Sequence, residues 1–213
     1  MTAFLALKAK RLQAAKQQRP RSEGKKMISQ IIQLENTDST QNVGKAMARD
    51  GAPHGALILT KTQSAGRGQF ERTWSSNEGG LYFSLILRPH KNILHTSILT
   101  IKAAEVVVET LQKLYGIKAK IKQPNDVLAY DKNKKQWLKI CGILAETATH
   151  DETMDWIVLG IGINLNNTLD RRLTGATTVK KILGKAVDFE EFKTQFFGIM
   201  TLRYNQWLKS TAS

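Results

Sequence analysis

A chain of 213 residues is long enough to bury a sizeable core and suits one domain with an appendage. Its hydrophobic content of 41% is ordinary, and no apolar run is long enough to span a bilayer, which excludes a transmembrane helix. The net charge of +14 supports attraction to nucleic acid, anionic membrane or acidic protein and carries no information about fold.

The charge is uneven. Residues 1–26 hold eight Lys/Arg and one Asp/Glu, so +7 of the +14 sits there. This segment carries Phe4, Leu5, Leu7 and Leu12 in a background of Ala, Lys and Gln, and is broken at Pro20. It reads as a basic extension, disordered or helical, ahead of a main domain over 27–213; Met27 is an alternative start. The single cysteine, Cys141, excludes an intramolecular disulfide and fits a reducing compartment. His54, His90, His95 and His150 have no zinc-ligand spacing.

Taken in order, residues 28–34 form a short apolar strand. The capping types Asp38, Ser39 and Thr40 precede a helix over 41–49, ending before Gly51. Ser39 and Thr40 serve either as caps or as hydroxyls aimed into a pocket at the helix start. A strand over 56–60 leads into a loop containing Gly66, Arg67, Gly68, Arg72, Trp74, Gly79 and Gly80, and an alternating strand over 81–87 closes it. Glycines beside arginines suit a loop that folds over an anion, and equally suit a solvated hairpin.

Residues 97–114 have helical periodicity and stop at Gly116; a strand over 117–121 follows. Lys122, Gln123, Pro124, Asn125 and Asp126 make a turn that puts a lysine and a carboxylate close together. Strands over 127–130 and 138–146 flank a basic hairpin, and 156–164 is a further strand. Its Gly160-x-Gly162 lacks the third glycine and the helix of a dinucleotide fingerprint and suggests a close backbone approach instead. Helices over 177–183 and 189–208 finish the chain. The order predicts an α+β fold: a mixed, mostly antiparallel sheet with flanking helices on one face.

Four separated segments together resemble the catalytic domain of biotin–protein ligases. They are Asp38-Ser39-Thr40; Gln63-x-Ala65-Gly66-Arg67-Gly68 with Arg72-x-Trp74; Lys122-x-Pro124-Asn125-Asp126; and Lys139-x-x-Gly142-Ile143-Leu144 followed by Gly160-x-Gly162-Ile163-Asn164. The resemblance covers roughly residues 28–208 and implies a fold related to class II aminoacyl-tRNA synthetases. It also implies activation of biotin by Mg-ATP to biotinoyl-5′-AMP, then transfer to a lysine of biotin carboxyl carrier protein.

Carried over by residue, the resemblance implies that Ser39, Thr40 and Gln63 hydrogen-bond the biotin ureido ring, with Gly142 also on the biotin side. Gly66, Arg67 and Gly68 would cover biotin and the adenylate phosphate. Gln69, Arg72, Trp74, Asn125 and Asn164 would serve ATP, Trp74 packing near the adenine and Asn164 meeting its edge. Lys139 would be the main catalytic cation, with Arg67, Lys122 and Asp126 beside the phosphates and Asp126 facing either magnesium or the acceptor lysine. Each residue alone also has a bland reading: a solvated lysine, a core aromatic or a strand-end cap.

This sequence departs from the family loop at Gln69, where an arginine is usual, and at Glu71, where glycine is usual; Glu71 is expected to point outward. Gln123 stands for the common tryptophan. Neither an SH3-like C-terminal domain nor a helix-turn-helix is expected, and with the latter goes any repressor activity. The implied protein is cytoplasmic, without specific DNA or membrane binding, and compatible with a homodimer. A lipoate or octanoyl transferase is disfavoured by the lack of an Arg-Arg-x-Ser-Gly-Gly-Gly loop. A basic nucleic-acid module is disfavoured because the aromatics form no stacking stripe.

Overall fold

The computed structural model describes residues 26–70, 72–88, 96–150 and 153–210. The expectations for residues 1–25 and for Glu71 lie outside the described residues. Seven strands form one sheet: β1 (Gln30–Thr37), β2 (Ala56–Gln63), β3 (Leu81–Leu87), β4 (Ala119–Lys122), β5 (Asp126–Asp131), β6 (Gln136–His150) and β7 (Thr153–Ile163). The helices are α1 (Thr40–Arg49), α2 (Thr96–Tyr115), α3 (Val179–Leu183) and α4 (Phe189–Ser210). The strand order is β1-β2-β3-β7-β6-β5-β4. Among the described residues only the β1–β2 strand pair is parallel, so the sheet is mixed and mostly antiparallel, as expected.

Side chains alternate across each strand, and the alternation builds two different faces. Leu57, Leu59, Phe83, Leu85, Leu87, Ile157, Leu159 and Ile161 point to one side, where they pack against α2 and α4. Leu99, Ala103, Val106, Val107 and Leu111 supply the inner stripe of α2, and Phe192, Phe196, Ile199 and Met200 that of α4. Phe196 is fully buried with its ring 5.9 Å from Phe83; truncating it to alanine should cost about 3–5 kcal/mol.

The opposite face carries Ile58, Ile86, Trp156 and Val158 under Ala48, Val43 and Met47 of α1. The expectation of helices on one face is therefore corrected: the sheet is covered on both sides. The physical reason is that β2 and β7 are apolar at consecutive positions, as strands buried on both faces must be.

Element ends also moved. β1 starts and ends later than residues 28–34, because its parallel pairing with β2 runs from Gln30↔Ala56 to Thr37↔Gln63. Several strands extend beyond the apolar residues that marked them, notably β6, which pairs with β7 as far as His150. The helix expected over 177–183 begins at Val179: Thr178 is its N-cap, accepting from Lys181 N at 3.1 Å, and Gly184 closes it with φ +74°.

Candidate active site

Following β7 along its α1 face gives Trp156, Val158, Gly160 and Gly162. The first two are roofed by α1; at the last two the side chains stop and the floor of a cavity begins. Gly162 pairs directly with Gly142 of β6, and Gly160 faces Ser84 of β3. Trp74 lies on this glycine platform. A Cβ at Gly142 would stand 2.8 Å from the indole, and one at Gly162 would overlap its Nε1. Glycine is needed here for close approach. The indole Nε1 is buried without a hydrogen-bond partner, which marks the ring as unlike an ordinary core aromatic.

Lys139 reaches the same face through an irregularity. Its parity with Cys141 and Ile143, both buried in the core, would turn it toward α2 and α4. A register shift in the β5–β6 ladder, where Val127 faces Cys141 but Leu128 faces Lys139, inserts Ile140 as an extra residue. One extra residue flips every side chain beyond it. Segment 175–177 fastens the bulge: Lys139 N donates to Gly175 O and Thr177 N to Lys139 O, both at 2.9 Å. The ammonium thereby sits 2.7 Å from Asp126 Oδ1 and 5.3 Å from the centre of the Trp74 ring. Cys141 points the other way; burial pushes its thiol up, so it is not a nucleophile.

The loop after β2 is an ordered hairpin. Gly68 N donates to Arg72 O, Trp74 N to Gly66 O, and Gln63 N to Ser76 O. Gly66 packs against the Trp74 carbonyl too tightly for any Cβ. Arg67 lies across the cavity rim with Nη2 3.4 Å from Glu146 Oε1, which also accepts from Lys45 Nζ at 2.9 Å. Phe70, at the loop tip, has φ +53° and is 86% exposed.

The other end of the cavity is polar and buried. Ser39 caps α1, accepting from Gln41 N at 3.2 Å. Gln63 Oε1 accepts from Thr40 N and Thr40 Oγ1, while its Nε2 donates to Ser76 Oγ. Ser84 Oγ lies 2.9 Å from both Thr40 Oγ1 and Gln41 Oε1, and Gln41 Nε2 donates to Val158 O. Such a network fixes side chains so that a hydrogen-bonding ring could be read precisely.

These parts enclose a cavity of about 300 Å³. Its charged lining residues are Arg67, Arg72, Lys122, Lys139 and Asp126: four cations against one carboxylate, a composition suited to anions. No cluster of three or more His, Cys, Asp or Glu that could hold a metal exists among the described residues. Asp126 is the one carboxylate among the lining residues, so the described residues build no metal cage of their own.

The model of the Biotin/lipoate A/B protein ligase family matches residues 33–164. The chain belongs to this family. It is 38% identical over 145 residues to the "Bifunctional ligase/repressor BirA" of Bacillus spizizenii, covering 68% of this chain and 43% of that one. It is 34% identical over 166 residues to the "Biotin--[acetyl-CoA-carboxylase] ligase" of Paracoccus denitrificans, covering 75% and 66%. The chain thus spans about two fifths to two thirds of the length of these curated relatives. The solved biotin protein ligase of Aquifex aeolicus in complex with biotin and ATP superposes with a TM-score of 0.71 at 28% identity, over 84% of this chain and 72% of that one.

Of the residues singled out in the sequence, Ser39, Thr40, Gln63, Arg67, Gly68, Gln69, Arg72, Trp74, Lys122, Asn125, Asp126, Lys139 and Gly142 line this one cavity. Gly66 is not among the lining residues and packs against the Trp74 carbonyl. Asn164 does not line the cavity: the residue is buried just past β7, where its Oδ1 accepts from Asn167 Nδ2 and its carbonyl from Val179 N. Asn125 does line it but also braces β6, donating from Nδ2 to Ile143 O. Sequence reasoning missed Gln41, Ser84, Lys45 and Glu146. Strand parity offered a signal, since Glu146, Leu144 and Gly142 alternate onto one face.

Proposed function

We propose that this chain activates biotin with ATP and transfers it to a lysine of a biotin carboxyl carrier protein. The observation that carries the reading is the convergence of the Lys139–Asp126 pair and the Arg67 loop on a glycine-floored cavity beside the Thr40–Gln63 network.

In the first step a biotin carboxylate oxygen bonds to the α-phosphorus as the bond to the leaving pyrophosphate breaks. Two anions must meet, so Lys139 stands between carboxylate and phosphate, and Arg67, Arg72 and Lys122 offset the charge. Thr40, Gln63 and Ser39 hold the ureido ring, while Trp74 packs near the adenine. Magnesium, when bound, would screen the phosphates, with Asp126 within its reach. In the second step the acceptor amine attacks the acyl carbon and AMP departs with the bonding electrons. Asp126 is placed in this reading to take or direct the amine's proton. The loop over 64–76 limits access of water to the anhydride.

The domain assignment goes with this proposal: residues 27–213 form the catalytic unit. No helix among the described residues is long and apolar enough to cross a membrane, and the reading places the protein in the cytoplasm, with no need for DNA. Incubation with biotin, Mg-ATP and a carrier domain, read by avidin blot, tests it. Because the family description includes lipoate ligases, a parallel arm with lipoate and its carrier belongs in the experiment; transfer there alone would redirect the substrate assignment.

A further inference from the structure

β4 is an edge strand, last in the sheet. Its ladder continues one residue earlier, where Tyr130 N donates to Lys118 O. Lys118, Lys120 and Lys122 therefore alternate onto one face, opposite Tyr130, Leu128 and Asp126. That is the cavity face, and Lys122 lines the cavity itself. The adjoining β5–β6 turn adds Lys132, Lys134 and Lys135. All six lysines are exposed, and none forms an ion pair among the described residues.

The nearby carboxylates do not neutralise them. Asp131 is 6% exposed and accepts from Asn133 N and Lys134 N in the turn; Asp126 is held by Lys139. A row of unpaired cations leading out from a reaction cavity creates a field that attracts a negatively charged surface and orients it.

Single-stranded nucleic acid would need free aromatic faces for its bases. Here Lys120 Nζ sits 4.2 Å from the Trp137 ring centre, and Lys118 Nζ lies 5.9 Å from that of Tyr130. Along the strip, both aromatics, Tyr130 and Trp137, carry a lysine ammonium over the ring. The strip instead fits folded acidic protein.

We infer that this lysine strip docks the carrier domain, engaging carboxylates that flank its acceptor lysine as that lysine enters beside Lys122. The inference rests on the carrier-transfer reading given above. The plainer alternative is that edge lysines only prevent strand addition.

The test is the variant Lys118→Glu/Lys120→Glu/Lys134→Glu, with Lys118→Gln/Lys120→Gln as a milder form that keeps most ring contacts. Biotin-dependent pyrophosphate exchange reads the first step and reports folding; transfer to the carrier domain reads the second; transfer to hydroxylamine is a control that needs no docking. The expected result is unchanged exchange and hydroxylamine transfer, with kcat/KM for the carrier down about tenfold or more at low salt, mostly in KM. The gap should narrow from about 0.01 M to about 0.15 M ionic strength. Equal carrier KM for variant and wild type overturns the inference, as does salt-dependent single-stranded DNA binding lost in the variant while carrier KM holds. If the wild type shows no pyrophosphate exchange, the functional reading fails separately, and direct binding of the carrier domain to wild type and variant still decides the docking.

Discussion

Arg67 and Glu146 meet across the cavity rim, Nη2 to Oε1 at 3.4 Å, and the same carboxylate oxygen binds Lys45 Nζ at 2.9 Å. A loop arginine proposed to meet a ligand anion is thus shared with a carboxylate of the sheet. Asn42, held by Asp38 at 2.7 Å, lies 3.5 Å from the other guanidinium nitrogen, and that bond holds the Asp38 carboxyl below its usual range. Releasing Arg67 should favour the ligand. For Glu146→Gln we expect a lower KM for ATP, by up to about fivefold, since a partly exposed pair of this kind is worth about 0.2–1 kcal/mol. Steady-state kinetics check this, and a raised KM would mean that Glu146 positions Arg67 productively.

The glycine platform under Trp74 makes a second prediction. Gly162→Ala puts a methyl group where the indole Nε1 lies, so the ring must lift. Overpacking of this kind costs about 1–3 kcal/mol. We expect the variant to fold, to expose Trp74 to acrylamide quenching, and to lose affinity for ATP. Comparison with Trp74→Phe isolates the signal from the other three tryptophans.

Gln69 lines the cavity where the family loop commonly has arginine. A missing charge-assisted hydrogen bond is worth about 1.5–3 kcal/mol. Gln69→Arg should therefore slow dissociation of the acyl-adenylate by about tenfold or more, measured by filter retention of labelled adenylate. An unchanged off-rate would show that Gln69 holds the phosphate as well as arginine does.

Cys141 tests the core behind the site. Its thiol is fully buried and pushed up by that burial, so the folded state prefers it protonated. The sign follows: stability from this group is complete below the thiol's ordinary range and declines as pH rises through it, when the unfolded thiol ionises. Iodoacetamide should leave native protein unmodified at neutral pH and react after denaturation. Labelling of the native protein would mean that β6 opens locally.

Much of this was readable from residues alone, for physical reasons. Glycines 160 and 162 announced a close approach, and together with Gly142 they form the cavity floor. Ser39 and Thr40 were ambiguous between cap and ligand; Ser39 caps α1 and both also line the cavity. The loop left open between anion cradle and solvated hairpin proved to be an ordered hairpin with two arginines on the cavity. Three things escaped. The bulge at Ile140, which decides whether Lys139 faces the cavity or the core, has no mark in local composition. α1 on the second face required knowing that β2 and β7 are buried on both sides. Asn164, which the resemblance sets at the adenine edge, instead accepts from Asn167 Nδ2 and does not line the cavity, as its bland reading at a strand end allows.

Lys139, turned into the cavity by the bulge and held 2.7 Å from Asp126, is proposed to bring two anions together for acyl-phosphate chemistry. The direct measurement is biotin-dependent exchange of labelled pyrophosphate into ATP by wild type and Lys139→Ala, with circular dichroism to confirm folding. We expect exchange in the wild type and a loss of about a hundredfold or more in the variant, the scale seen when a charge-stabilising donor is removed. No exchange in the wild type, or full exchange in a folded Lys139→Ala, would contradict it.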